Sequence, residues 1–213
     1  MTTGTLSLVD IRTDAMTQDS QPSIDELLDS LDGQVINAEY WIIDPEIDPF
    51  YTEEVFPADV IVDTREQSPF HFLNIDPFKI VPLWQTALKT GDYSLRGYED
   101  RVTIERKSIP DFLGSITSGR DRFEREFERM SKMEFAAVVI EGELSDVLEY
   151  SRAKTRIKTD SILGTLDSWR VRYGVHFIFC MGRRHCEINT LTLLYQFWRN
   201  DELKRKQFEK SGS

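Results

Sequence analysis

The chain is poor in cysteine and histidine, with two and three respectively among 213 residues. Two thiols, Cys180 and Cys186, cannot build a disulfide framework, and a chain of this length does not need one. His185 adjoins Cys186, but there is no Cys-x-x-Cys spacing and no fourth ligand nearby, so a zinc centre is discounted. Cys180 reads as a small core residue. Long apolar runs are also missing. The longest, 135–140 and the stretch around 177–180, are far too short to cross a bilayer. The N-terminus lacks the basic start and apolar stretch of a secretory signal. The expectation is a protein with no membrane partner, at home in a reducing cytoplasm.

Basic residues are scarce in one place only. Residues 1–60 carry 14 Asp and Glu against a single Arg, whereas the rest carries 23 acidic and 25 basic side chains. The net charge of −11 therefore belongs to the N-terminal segment and does not exclude a nucleic-acid partner for the remainder.

Three segments are expected: an acidic, largely flexible part over 1–57, a folded domain over 58–205, and a flexible tail over 206–213. Within the first, Ser23 is placed to cap a short helix through Leu31, with Glu26 at the capping-box position. Pro45, Pro49 and Pro57 break up the stretch between that helix and the domain. From Asp59 the pattern becomes regular. Strands are expected at 60–62, 79–84, 93–95, 101–105, 136–140 and 176–180. Helices are expected at 110–117, 121–132, 160–173 and 187–204. Phe123, Phe127 and Met130 form one apolar stripe on the second of these. Trp169 is expected in the core. Alternating strands and helices imply an α/β fold, a central mixed sheet flanked by helices on both faces.

Gly91-Asp92 precedes one strand, and Glu105-Arg106-Lys107 ends its neighbour. Strand alternation puts Glu105 and Lys107 on the same face. Asp92, at the start of the adjoining strand, can meet Glu105 there. Two carboxylates suit a hard cation that keeps waters and a phosphate as its other ligands. Lys107 is suited to orient or deprotonate a water, or to stabilise charge on a phosphate. Asp-x-Arg-Glu at 63–66 follows directly on a strand, and Asp111 lies on the first turn of the next helix, where a dipole partner is the simpler role. Arg120, after Gly119, either pairs with a helix carboxylate such as Glu124 or holds a phosphate.

Together these blocks, IVDTREQSPF (61–70), GDY (91–93), IERKSIPDFLGSI (104–116) and GR (119–120), resemble the nuclease domain of the XPF-type structure-specific endonucleases. The family pattern VDxRE, GD and ERKxxxD is matched in order over roughly 58–200. The resemblance implies a restriction-endonuclease-like fold. It implies metal ligands at Asp92, Glu105 and Glu66, catalytic roles for these, Lys107 and Asp63, and supporting or substrate-binding roles for Arg65, Arg106, Asp111 and Arg120. It implies a Mg²⁺- or Mn²⁺-dependent hydrolase cutting branched or flap-like DNA, acting in DNA repair or recombination, and working as a homodimer through the nuclease domain. No Gly-x-Gly hairpin pair, of the kind with which family members bind duplex DNA and dimerise, is found after the last helix, so branch specificity and dimerisation rest on the resemblance alone. The rival reading is a catalytically inactive DNA-binding or scaffold subunit; intact Asp92, Glu105 and Lys107 favour the enzyme. The motif by itself accommodates RNA as well.

Arg152, Lys154, Arg156 and Lys158 alternate through a stretch that reads as a loop. Residues 150–172 hold six basic and two acidic side chains. These four are candidate DNA contacts outside the site, with a solvated surface as the equally weighted alternative.

Overall fold

The computed structural model describes residues 55–211. The expected short helix from Ser23 and most of the acidic segment lie outside them. The described chain forms six strands and five helices: β1 (Val60–Asp63), β2 (Leu83–Thr86), β3 (Tyr93–Leu95), β4 (Val102–Lys107), α1 (Ile109–Ile116), α2 (Arg120–Met130), β5 (Phe135–Ile140), α3 (Leu144–Lys154), α4 (Thr159–Tyr173), β6 (His176–Phe179) and α5 (Arg183–Ser211). The strands make one mixed sheet in the order β2-β1-β3-β4-β5-β6. β3 is antiparallel to β1 and β4, and the other neighbours run parallel.

The register decides the two faces. Val62 opposes Tyr93, and Tyr93 opposes Ile104. Alternation therefore sends their neighbours Asp63, Asp92 and Glu105 to the opposite face. Ala136, Val138 and Ile140 of β5 share that second face and form a core with Phe112, Phe123, Phe127, Ile162 and Trp169 of helices α1, α2 and α4. Phe123, Phe127 and Met130 are all buried, as their spacing requires. Phe127 meets Trp169 at 5.1 Å between ring centroids. The other face is covered by α5. The expected mixed sheet with helices on both faces is present, with four helices on one side and one on the other.

Three elements and one boundary differ from the sequence reading. β2 begins at Leu83 rather than Lys79, because Pro82 has no N–H for a ladder and instead accepts from the Val60 N–H at 2.8 Å. α3 occupies part of the expected loop. Its N-terminus is closed by a capping box between Glu143 and Asp146, while only Val147 and Ser151 are buried, too weak a stripe to stand out. Arg152 and Lys154 thus end a helix, and Arg156 and Lys158 lie in the connection to α4. α5 begins at Arg183 and runs to Ser211, so 206–211 are helical. That segment lacks Gly and Pro and is rich in good helix formers. Finally, Phe56 is buried against Phe78 at 5.0 Å and Tyr195 at 6.1 Å, ahead of the expected domain start.

Candidate active site

Three strand ends build the site. The Asp63 N–H donates to the Asp92 carbonyl at 2.8 Å, and the Asp92 N–H donates to the Ile104 carbonyl at 2.9 Å. Gly91 makes this approach possible. Its φ is +76°, and a Cβ there would lie 1.9 Å from Thr103 Oγ1. Only glycine takes this backbone conformation with so little room. Thr103 Oγ1 in turn donates to the Thr90 carbonyl at 3.0 Å.

Asp92, Glu105 and Lys107 come together on the helix-rich face. Lys107 pairs directly with Glu105, which is 5 % exposed. The Lys107 ammonium also lies 5.1 Å from the Phe123 ring centre on α2. The Asp92 carboxylate accepts the Arg106 N–H at 2.8 Å. Its pKa is pushed up to about 7, chiefly by burial, which together with the nearby Glu66 and Glu126 carboxylates outweighs the lowering by the Arg106 N–H and Lys107. Glu105 is raised well above the usual carboxylate range, by burial first and by Asp92 next. Burial works against the charge on Lys107, but Glu105, Asp92 and Glu126 outweigh it and raise its pKa. Lys107 is therefore an ammonium at neutral pH, suited to donating rather than to removing a proton.

Glu126 is the residue that sequence reasoning missed. It lies on α2, accepts from Thr90 Oγ1 at 3.4 Å, and acts on Asp92, Glu105, Lys107 and Arg65. Its helix position, next to the buried Phe127, was the available signal.

The other site residues have defined partners. Both Asp63 oxygens are engaged: Oδ1 accepts the Arg65 N–H at 2.7 Å and Nε at 2.8 Å, and Oδ2 accepts Arg65 Nη2 at 2.8 Å and the Leu88 N–H at 2.6 Å. Although burial alone would raise its pKa, these donors lower it. Glu66 Oε1 accepts Arg106 Nη2 at 3.0 Å and the Ser68 N–H at 2.6 Å, leaving Oε2 outside these bonds. Arg106 also reaches Glu141 at 2.9 Å. Arg183, at the start of α5, meets the same Glu141 oxygen at 2.8 Å and donates to the Ser68 and Pro69 carbonyls at 2.8 and 3.0 Å. Arg106 thus supports the loop that carries Glu66.

Asp111 is exposed. Its carboxylate accepts from the hydroxyl of its cap, Ser108, at 2.6 Å, a bond local to the helix start rather than one that reaches the carboxylate pair. Arg120 donates to Glu124 at 2.9 Å and lies 5.5 Å over the Trp169 ring, the helix-pairing alternative of the two expected. Arg152, Lys154, Arg156 and Lys158 are all exposed. A separate cleft of about 260 Å³, bordered by Arg101, Glu134 and Asp201, contains none of these residues. Its Arg101 is already paired with Glu134 and Asp201, each at 2.5 Å.

The family model described as the ERCC4 domain matches residues 62–187. A Methanocaldococcus jannaschii protein named as a putative ATP-dependent RNA helicase is 26% identical over 151 residues, a region covering 71% of this chain and 17% of that protein. Two solved structures of XPF from Aeropyrum pernix, one in complex with DNA, superpose with TM-scores of 0.50 at 21% identity. The first match covers 65% of this chain and 60% of that one; the second covers 68% and 66%. The chain thus spans about a sixth of the archaeal relative and under two thirds of the first solved structure, and the likeness to the solved structures is one of fold.

Proposed function

The chain belongs to the ERCC4 domain family and carries an XPF-type nuclease domain, and from that premise we propose that it is an endonuclease hydrolysing phosphodiester bonds of DNA. The observation that carries this reading is the meeting of Asp92, Glu105 and Lys107 on one sheet face, with more negative charge than Lys107 neutralises. The raised pKa values of both carboxylates have that cause in part.

Among the described residues, no three His, Cys, Asp or Glu side chains form a ready metal-holding group. The donor set still fits Mg²⁺ or Mn²⁺, since Mg²⁺ takes one or two carboxylates and keeps water and phosphate oxygens as its other ligands. Asp92 and Glu105 would hold it; Glu66, engaged through Oε1 by Arg106 and the Ser68 N–H, would have to turn Oε2 toward them to serve as a third donor. A bound ion would polarise the phosphodiester and make a water more acidic. Lys107 would donate to the phosphate oxygens as negative charge builds on them, and Glu105 keeps its ammonium in place. Asp63 anchors Arg65 and the turn at Leu88 and stands one step from the chemistry.

Branched or flap-like DNA is the proposed substrate, repair or recombination the proposed setting, and pairing with a second copy the proposed assembly. Arg152, Lys154, Arg156 and Lys158 are proposed contacts outside the site. No helix among the described residues is long and apolar enough to cross a membrane; a place in the cell beside the DNA is proposed from the endonuclease reading. The test is cleavage of labelled duplex, flap, fork and single-stranded DNA with Mg²⁺ or Mn²⁺. Wild type should cut, and Asp92→Ala and Lys107→Ala should lose at least about 10²-fold in rate. Cleavage surviving both substitutions would place the chemistry elsewhere. A wild type that binds DNA without cutting it would leave the scaffold reading.

A further inference from the structure

We infer that the outward face of α2 is the track on which the DNA phosphate backbone runs toward the Asp92–Glu105–Lys107 site, an inference that rests on the endonuclease reading. At about 100° per residue, Arg122, Arg125 and Arg129 fall within one narrow stripe, opposite the buried Phe123, Phe127 and Met130. All three are exposed. Several other arginines are neutralised locally: Arg96 by Asp59, Arg101 by Glu134 and Asp201, Arg106 by Glu66 and Glu141. The three stripe arginines enter no ion pair among the described residues; Arg129 donates only to the Arg125 carbonyl, at 3.0 Å.

The stripe adjoins the site. Glu126 lies between it and the buried face of α2, and it is the α2 carboxylate that acts on Asp92, Glu105 and Lys107. Phe123, one residue from Arg122, lies under the Lys107 ammonium. Asp121 and Glu128 are exposed too, but helical spacing puts them on the edge of the stripe away from Glu126. Arg65, Arg106 and Lys107 at the site itself are already paired, so the stripe offers uncompensated cations on the helix that adjoins it. A polyanion whose scissile phosphate sits at Lys107 would have neighbouring phosphates within reach of such a stripe. The quartet at 152–158 also enters no ion pair among the described residues, but no observed contact joins it to the site.

The test is binding of the full chain to a labelled DNA duplex without divalent ions, followed by anisotropy from about 50 to about 200 mM salt. Arg122→Gln/Arg125→Gln/Arg129→Gln should weaken binding and flatten the slope of log affinity against log salt by about 2 to 3, at about 0.9 for each phosphate no longer neutralised. Asp121→Asn/Glu128→Gln should tighten binding, a change that misfolding cannot produce. An unchanged slope in the triple variant, with wild type binding and cutting normally, overturns the track and leaves the endonuclease reading intact. A slope that falls only in a variant of the 152–158 quartet has the same result. A wild type that neither binds nor cuts overturns the endonuclease reading, and the track with it.

Discussion

The Arg106 N–H donates to the Asp92 carboxylate at 2.8 Å, while the Arg106 guanidinium is held by Glu66 and Glu141. One residue therefore serves both faces of the sheet. Its backbone orients the carboxylate on the helix-rich face, and its side chain ties the loop after β1 to the start of α5.

The raised carboxyl pKa values predict how stability and cation binding vary with pH. A carboxyl whose folded value is raised holds its proton more tightly in the native state. Its stabilisation is fully present below the unfolded value and is lost as pH climbs through the folded one. For Asp92 that window runs from 3.8 to about 7, and Glu105 adds in the same direction. The cation-free protein should therefore be less stable near pH 8 than near pH 5, by on the order of 1 kcal/mol or more, and melt at a lower temperature. Mg²⁺ or Mn²⁺ should raise the melting temperature more at the higher pH, and Asp92→Asn should remove most of that difference. Equal Mg²⁺ shifts at both pH values would contradict this.

Arg183 is expected to act as a latch. Arg183→Ala removes one Glu141 contact and both carbonyl contacts to the 68–69 loop. Denaturant unfolding should show a loss of about 1–3 kcal/mol. Amides of residues 66–70 should exchange faster with solvent while those of β5 stay protected. Uniform exchange across both segments would mean that Arg183 does not hold the loop in particular.

Gly91→Ala should be among the most damaging small substitutions in the chain. It combines a positive φ with a Cβ placed 1.9 Å from Thr103 Oγ1. Gly97 also has a positive φ but open space around it, so Gly97→Ala should cost only about 1 kcal/mol. Gly91→Ala should cost clearly more and should reduce cleavage through displacement of Asp92. Thermal unfolding of the two variants side by side checks this, and equal losses would remove the steric argument.

Phe127→Ala should destabilise by about 3–5 kcal/mol, since the ring is fully buried and meets Trp169, Tyr173 and Phe177. In the fraction that stays folded, the salt dependence of DNA binding should match wild type, because the substitution touches no exposed cation. A change in that dependence would show that core packing, rather than the arginine stripe, governs binding.

Much of the fold was legible because its signals are local. Val60–Asp63, Phe135–Ile140 and the Phe123/Phe127/Met130 stripe carry periodicities that report element and buried face together. α3 was not legible, because it buries only Val147 and Ser151 and its end carries alternating cations that resemble a loop. The shift in β2 followed from one proline. Asp63 and Asp111 were legible as motif members, but their partners were not. A carboxylate saturated by Arg65 and Leu88, and another bonded to its own helix cap, look the same in sequence as one free to bind a cation.

By itself, the sequence determined the residue types of the chemistry, the spacing that puts Glu105 and Lys107 on one face, and the glycine before Asp92, since strand alternation and positive φ are local constraints. Only the tertiary structure decided which acidic groups gather without a full set of cations. That depends on burial and on contacts between segments far apart in the chain: Arg106 with Glu66 and Glu141, Arg183 with the 68–69 loop, and Glu126 of α2 with Thr90 beside Asp92. Neutralisation is a property of neighbours in space, so spacing along the chain does not reveal it.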